Sequence, residues 1–141
     1  MINITQFNQA IAALKTANSA IADYVLCAHE AHLVNKLKDK RGIILAAIYP
    51  STERKGANDA IISENTTWLF VLEKMNNSAT NADEVAQYQR LHEVVQSLFK
   101  FIEDDGAGCS LFFERYQVGS TIMPEYNEFG GFNGWSFSVN F

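Results

Sequence analysis

The chain has 141 residues, of which 48% are hydrophobic and 19% are charged. This composition is that of an ordinary globular protein and excludes a disordered or fibrous chain, and the length fits a single domain, residues 1–141. The formal net charge is −5 and there is no long basic run. Nucleic-acid binding is therefore not expected, because few cations are available to neutralise phosphates.

The N-terminal stretch MINITQFNQAIAALKTANSA lacks a basic leading region followed by a compact apolar segment, so it is not expected to be a signal peptide. There is no run of about eighteen apolar residues, so neither a membrane span nor a membrane partner is expected. These features predict a soluble, cytoplasmic protein. The cysteines Cys27 and Cys109 lack CxxC spacing, and no disulfide framework is predicted, although a single pair between them stays open.

A first helix is predicted from near Thr5, because apolar residues recur at three-, four- and seven-residue steps along one face. Residues 18–19 and the β-favouring residues 24–26 interrupt this pattern. Two alternatives follow: one helix that continues to residue 37, or a break near residue 20 with a second short helix at 28–38.

Gly42 marks the predicted passage from helix to sheet. The basic cluster before it is typical of a helix C-terminus, and glycine is the usual stop. The apolar runs at 43–49 and 66–74 are short and nearly continuous, as expected of strands covered on both faces. The 51–65 stretch between them exceeds a tight hairpin, so it is predicted to be an excursion or a flexible flap. The basic cluster comprises Lys36, Lys38, Lys40 and Arg41.

A further amphipathic helix is predicted from Asn81, which forms a capping-box pattern with Glu84 three residues later. Apolar residues between Val85 and Ile102 fill one face, so this helix should pack one side on a sheet. The acidic residues 103–105 are expected to be a solvated helix end, because adjacent carboxylates diverge and lack the spacing of a calcium loop. The glycine-containing stretch 106–110 is predicted to be a turn.

Two more strands are predicted, one at 110–118 and one after Gly134. The order helix, strand, strand, helix, strand, strand predicts a two-layer α+β domain, with helices packed on a mostly antiparallel or mixed four-stranded sheet (α-β-β-α-β-β). A right-handed crossover through the later helix would make the second and third strands parallel.

The C-terminal strand has the most regular β pattern of the chain, since large apolar residues alternate with small or polar ones. Burial of its apolar side is expected to hold the strand in place. The glycines at 130–131 and 134 should allow a turn or a bulge, and the opposite side is polar enough for water or another protomer. The apolar residues are Trp135, Phe137, Val139 and Phe141.

Metal-ligand side chains gather at Cys27, His29 and His32. The HExH spacing misses the zincin HExxH pattern by one residue, and Cys27 would lie about 200° around a helix from His29. Neither a metal nor a cofactor is expected, and His92 is predicted to be structural. No Walker, G-x-S-x-G or dinucleotide motif occurs, so no catalytic residues and no enzymatic activity are predicted. An enzyme that uses His29, His32 and Glu30 in an unrecognised cleft stays an alternative.

Aromatic residues crowd the end of the 119–133 stretch. They form either a lid on the core or anchors for a neighbouring subunit, because aromatic residues concentrate at interface centres. Together with charged residues of the 51–65 stretch they are the candidate protein-interaction residues. The set is Tyr126, Phe129, Phe132, Trp135, Glu53, Arg54 and Lys55.

The runs GIILAAIYPSTERKGANDAIISENTTWLFVLEK and PEYN…GG…NGWSFSVNF resemble small proteins of prophage and phage-derived tail gene clusters. The α+β order is also similar to that of tail-terminator and tail-completion proteins. The resemblance implies a structural protein of virion assembly, whose copies form a ring that caps a tail tube. It further implies a host-cell cytoplasmic location with incorporation into a virion or phage-like particle. It carries over no functional residue one by one.

In that family the contacts are made by oligomerisation surfaces and extended loops, which here points to the 51–65 and 119–133 stretches. The expected partners are copies of the chain and other tail or assembly proteins. A different function stays open: a small protein-binding or immunity-type module whose flap and aromatic residues grip one partner.

Overall fold

The computed structural model of the chain describes residues 3–107 and 120–141. Within these residues the protein is an α+β fold with three α-helices and a mixed six-stranded sheet. The predicted α+β class is confirmed, whereas the four-stranded sheet and its strand order differ from the structure. In chain order the elements are α1 Ile4–Ala17, β1 Ile21–Cys27, a 3-10 turn Glu30–His32, α2 Leu33–Leu37, β2 Ile43–Ile48, β3 Ser51–Lys55, β4 Ile62–Lys74, α3 Asn81–Ala107, β5 Ile122–Glu128 and β6 Phe132–Asn140.

The strand order across the sheet is β1-β2-β4-β6-β5, and β3 pairs with β4 beside this path. β1 and β2 run parallel, and the other described pairs are antiparallel. The parallel pair is joined through the 3-10 turn and α2. The predicted parallel pairing across the later helix involves the 110–118 strand and stays a prediction. The predicted strand at 110–118 and most of the predicted turn at 106–110, with Cys109, lie outside the described residues.

The first predicted helix breaks near residue 20 as one alternative proposed. Asn3 caps α1, because its side-chain oxygen accepts a hydrogen bond from the backbone N–H of Thr5 at 2.9 Å. The residues that follow are a strand, which was not predicted. Residues 24–26 pair with β2, where β-favouring side chains gain ladder hydrogen bonds and burial. The helix predicted at 28–38 is accordingly reduced to α2 after a single 3-10 turn.

The basic cluster ties the end of α2 to β1. The ammonium of Lys36 donates to the carbonyl of Leu26, and Lys40 forms an ion pair with Asp23. The hydrogen bond from Lys40 holds the pKa of the Asp23 carboxyl below its ordinary value. Gly42 has a φ of 79° and leads directly into β2, but it is not the predicted helix stop, because α2 ends at Leu37 with Lys38 as its C-cap.

Both stretches predicted as loops contain strands. The 51–65 stretch forms β3, a tip and the first part of β4, which pair from Ser51↔Thr66 to Lys55↔Ile62. The 119–133 stretch contains β5, which pairs with β6. Both strands lie at edges, where charged residues and proline such as Pro124 are common. Neither strand therefore has the continuous apolar pattern of a central strand.

Helix α3 begins one residue after its cap. Thr80, not Asn81, makes the capping hydrogen bonds: its hydroxyl accepts from the Asp83 N–H at 3.3 Å, and the Asp83 carboxylate accepts from the Thr80 N–H at 2.9 Å. The predicted pair of Asn81 and Glu84 is thus displaced by one residue. The apolar face packs as predicted from Leu91 onward, with Leu91, Val95, Leu98 and Ile102 all buried.

One face of the sheet is covered by α1 and α3, and we call it the helix face. Phe7 and Leu14 from α1 and Leu98 from α3 pack there on Leu45 and Val71 of the central strands. The C-terminal strand contributes to this face as predicted. Phe137 and Val139 are buried, Trp135 is half-buried, and the terminal Phe141 is held by two backbone hydrogen bonds to Asn65 at 2.9 Å.

The opposite face is covered only in part, by α2. Leu33 and Leu37 of α2 pack there on Ile44 and Leu72. A two-layer arrangement was predicted, and this third, partial layer is a correction to it. The polar side of β6 lies on the same face, but Ser136 is buried instead of solvated. Among the helices of the described residues, none combines the length and apolarity needed to cross a bilayer.

Candidate functional site

A two-stranded arm extends beyond the sheet, and we define it as residues 51–66. β2 pairs with β4 only at Leu69–Leu72, and the pairing of β6 with β4 ends at Thr66. Beyond the Phe141–Asn65 hydrogen bonds the arm therefore consists of β3 and the start of β4 alone. Gly56 makes its tip possible, since φ is 116° and an added Cβ would lie 2.1 Å from the Ala60 carbonyl oxygen.

The arm presents apolar side chains near its tip. Ile61 is 50% exposed and Ile62 is 59% exposed. An isolated hairpin is at best marginally stable in water, so packing against another surface would stabilise the arm. The exposed isoleucines are the feature of the arm that sequence reasoning missed, because β3 and β4 had been predicted as a loop and a shorter strand.

The charged candidates Glu53, Arg54 and Lys55 all lie exposed on β3. Lys55 is paired within the arm, to Glu64 at 3.0 Å and to Glu53 at 3.1 Å. Hydrogen bonds to Glu64 and, to a smaller extent, to Glu53 raise the pKa of the Lys55 ammonium. Arg54 forms no ion pair with any part of the chain that the structure describes.

The uncovered part of the second sheet face forms a trough of about 250 Å³ across β4, β6 and β5. Its apolar lining consists of Trp68, Phe70, Met123 and Phe129. The charged groups that line it are all carboxylates, those of Glu30, Glu125 and Glu128, and Ser136 lies among them.

The turn between β5 and β6 positions one wall of the trough. Phe129 has a φ of 52°, which is unusual for a bulky residue and costs roughly 1–2 kcal/mol. Its ring packs edge-on against Phe70 with centroids 5.2 Å apart. This packing offsets the strain. Gly130 and Gly131, with φ of 85° and 103°, complete the turn as glycines were predicted to do.

One carboxylate of the trough is held in place from beneath. The buried hydroxyl of Ser136 donates to Oε1 of Glu125 at 2.6 Å. From the other side, the Tyr88 hydroxyl donates to the Glu125 carbonyl at 2.6 Å and fixes β5 to α3. Burial raises the pKa of the Tyr88 hydroxyl, which keeps it a donor across the physiological range.

The predicted aromatic candidates divide between core and surface. Phe132 is buried in the cluster that Leu33 and Leu37 of α2 cover. Trp135 is half-buried, and its indole N–H donates to the Tyr88 carbonyl at 3.0 Å. Tyr126 is 61% exposed, and Phe129 lines the trough. Phe132 and Trp135 thus fit the interpretation of a lid on the core. Tyr126 and Phe129 lie where a neighbour could be contacted. The charged arm residues and the aromatic residues do not form one site.

A second groove, of about 380 Å³, lies along α3 and is lined by Tyr88, His92 and Trp135 together with exposed residues of the first helical turns. The rings of His92 and Trp135 have centroids 5.0 Å apart. His92 therefore packs against an aromatic side chain, and its structural role stays a prediction. Val85, at 61% exposed, departs from the predicted buried face because it lies on this open side of the helix.

A partly buried polar network joins α3 to β6 and was not predicted. The Asn133 side chain is buried, donates to Gln87 at 3.2 Å and accepts from the Asn127 N–H at 2.9 Å. Gln87 donates in turn to Glu73 at 3.0 Å, and Arg90 pairs with the same carboxylate. An asparagine in a strand gives no sequence signal that distinguishes such a network from a solvent-facing position.

The side chains of Cys27, His29 and His32 do not come together as a metal site. Cys27 is buried and its pKa is raised by that burial, which keeps the thiol protonated. His29 and His32 are exposed, and Nδ1 of His29 accepts from the Ala31 N–H at 3.1 Å. In the described ranges, no three histidine, cysteine or acidic side chains are placed to hold a metal ion.

No protein-family model matches the sequence, and no curated protein is similar to it at a significant level. A functional proposal therefore depends on the fold and on the arm and trough.

Proposed function

We propose that the protein is a structural and assembly protein of a phage-like tail, a tail-terminator-like ring subunit that acts through contacts with its own copies and with other tail proteins. The observation that carries this proposal is the arm, which leaves the sheet and exposes Ile61 and Ile62. The resemblance of the sequence supports the assignment to a tail. In this proposal the protein is not an enzyme and becomes part of a virion or phage-like particle.

The isoleucines provide the driving force for contact. Complete burial of a side chain of this size contributes about 1.5–3 kcal/mol, so sheltering the exposed halves of both contributes about 1.5–3 kcal/mol in total. An arm that meets a different surface on the next copy makes a head-to-tail contact, and such contacts close into rings when the rotation permits. The arm is thus suited to a ring.

The charges of the arm have a different role. Lys55 is paired with Glu53 and Glu64 inside the arm, and charged side chains on an open strand hinder unwanted edge-to-edge pairing. We therefore expect Glu53 and Lys55 to contribute little to affinity. Arg54, which has no ion pair within the described chain, is expected to meet a neighbour.

The test is the mass in solution, measured by light scattering over a range of concentrations for the wild type, Ile62→Ser and Val85→Ser. The two substituted residues have nearly equal exposure, 59% and 61%, but Val85 lies on α3. We expect the wild type to associate to several times 15.8 kDa. Ile62→Ser should weaken association about tenfold, and Val85→Ser should leave it unchanged.

A wild type that remains monomeric at high concentration would contradict the ring proposal and favour the alternative, a small protein-binding or immunity-type module. Equal weakening by both variants would show that association is general hydrophobic adhesion and not a contact of the arm. Circular dichroism on each variant establishes that the sheet is retained, which is expected because both residues lie on the surface.

A further inference from the structure

We propose that the trough binds a basic side chain, arginine or lysine, that an apolar segment of a separate partner polypeptide presents. This surface is distinct from the arm, and the inference does not depend on the ring proposal. It commits to a protein partner because the chemistry of the trough combines apolar contact with negative charge.

The floor of the trough suits the body of a long basic side chain. Trp68 and Phe129 are half-buried, and Met123 is exposed at the rim. Aromatic faces attract ammonium and guanidinium groups, tryptophan most strongly, and the methylene stems of these side chains pack on apolar surface. Methionine adds a surface that adapts to different neighbours.

The rim supplies the matching charge. The carboxylates of Glu30, Glu125 and Glu128 line the trough, and no basic side chain lies among its described lining residues. The Ser136 hydroxyl occupies Oε1 of Glu125 and fixes the carboxylate, which leaves its other oxygen to accept from an incoming donor. A positioned carboxylate loses less freedom on binding than a mobile one, and charge-assisted hydrogen bonds are the strong ones.

The volume of the trough and the negative charge of its rim argue against other classes of ligand. Its volume of about 250 Å³ lies below the roughly 300–1,000 Å³ of pockets that enclose a drug-sized ligand or cofactor. One long side chain fits that space better. Nucleic acids and anionic membrane surfaces carry the same charge as the rim and would be repelled.

The wall of the trough is set in a single position by the chain itself. Phe129 keeps a left-handed backbone conformation because its ring packs on Phe70, and the two glycines after it close the turn. The trough is therefore formed before a partner arrives, which favours a preformed site over one that folds on binding.

Two tripeptides test the proposal, acetyl-Leu-Arg-Leu-amide and acetyl-Leu-Gln-Leu-amide, titrated into the full chain. Binding is followed by NMR on the two tryptophan indole N–H signals. Trp68 reports on the trough, and Trp135, whose N–H is bonded to Tyr88, is the internal control. We expect the arginine peptide to shift the Trp68 signal and to bind about tenfold more tightly than the glutamine peptide.

The variants are Glu125→Gln with Glu128→Gln, and separately Glu93→Gln with Glu103→Gln as a control on the exposed surface of α3 that removes the same number of charges. The double variant should lose the preference for arginine, and the control should keep it. Ser136→Ala should retain the charge but reduce the preference, because Glu125 is no longer held in place. Circular dichroism establishes that each variant is folded.

Equal binding of the two peptides would overturn the proposal, and so would a preference that survives in the double variant. Shifts confined to Trp135 would place the peptide in the groove along α3 instead. A fall in the self-association mass of the double variant would identify a second copy as the occupant, which also overturns the proposal of a separate partner. The peptide-binding outcomes do not bear on the arm, whose test is the effect of Ile62→Ser on the mass.

Discussion

The two faces of the sheet differ in how completely they are covered. On the helix face, α1 and α3 bury the apolar side chains of the strands from Leu45 to Phe137. On the other face, the five-residue α2 covers β1, β2 and one end of β4 and β6, and it leaves the rest of β4 and β6 with β5 to form the trough. One face is therefore built to hold the fold, and the other leaves apolar and acidic groups available for contact.

The same strands serve both faces because successive side chains point in opposite directions. In β4, Leu69 and Val71 point to the helix face, while Trp68 and Phe70 point to the trough. A residue of the helix face should therefore matter mainly for stability. Its neighbour on the trough should matter mainly for binding.

The largest expected loss of stability comes from a substitution on the helix face. Phe137→Ala should lower the free energy of unfolding by about 3–5 kcal/mol, because a fully buried ring packed 4.7 Å from Phe99 leaves a cavity. Phe129→Ala, on the trough, should cost about 1 kcal/mol, since its ring is only half-buried. Urea-induced unfolding followed by circular dichroism measures both. Equal losses would mean that the two faces contribute alike to stability.

A second variant tests the sheet that the faces share. Gly134 lies inside β6, where an added Cβ would stand 1.9 Å from the Val71 carbonyl oxygen of β4. Gly134→Ala should therefore cost about 1–3 kcal/mol by forcing the two strands apart. Thermal unfolding of this variant and of Ser138→Ala, in the same strand, checks the expectation. A loss in Ser138→Ala as large as that in Gly134→Ala would show that the close approach is not the cause.

A smaller effect concerns how α3 is held over the helix face. Thr80→Ala should cost about 1 kcal/mol, because the first turn loses its capping hydrogen bonds. Asn81→Ala should cost much less, as Asn81 is the first helical residue and not the cap. Paired unfolding curves in urea measure the difference. A larger loss of stability in Asn81→Ala than in Thr80→Ala would indicate that Asn81 is the cap.

The smallest effect is a pH dependence at the same cap. Hydrogen bonds from Thr80 lower the pKa of the Asp83 carboxyl below 3.8, its ordinary value. The ionised group therefore adds stability above that value, and the contribution is lost as the pH falls through the lower pKa of the folded state. Compared with Asp83→Asn, the wild type should lose its advantage only in this acidic range. A constant difference from neutral to strongly acidic pH would contradict the capping role.

The sequence patterns predict the helix face well. The alternation in β6, the continuous run in β2 and the apolar stripe of α3 each report burial, and burial is what those patterns record. The edge elements β1, β3 and β5 were missed or placed in loops. Their residues are in strands because of pairing with distant partners, which local propensity does not contain.

The trough could not be predicted as a site for the same reason. The crowding of aromatic residues indicates Phe129 as a contact residue, but Trp68 and Glu125 come together only through the β4–β6–β5 register. The carboxylate of Glu30 joins them from the 3-10 turn before α2. Charge and aromatic content are visible in a sequence, whereas their juxtaposition depends on strand order.

The most direct test of the proposed function is amide hydrogen exchange of residues 52–65, measured at low and at high protein concentration. If the arm contacts a neighbouring copy, its amides should exchange more slowly at high concentration, while those of β2 and β4 within the sheet should not change. Exchange in the arm that is equally fast at both concentrations, under conditions where the mass has increased, would contradict the arm as the contact.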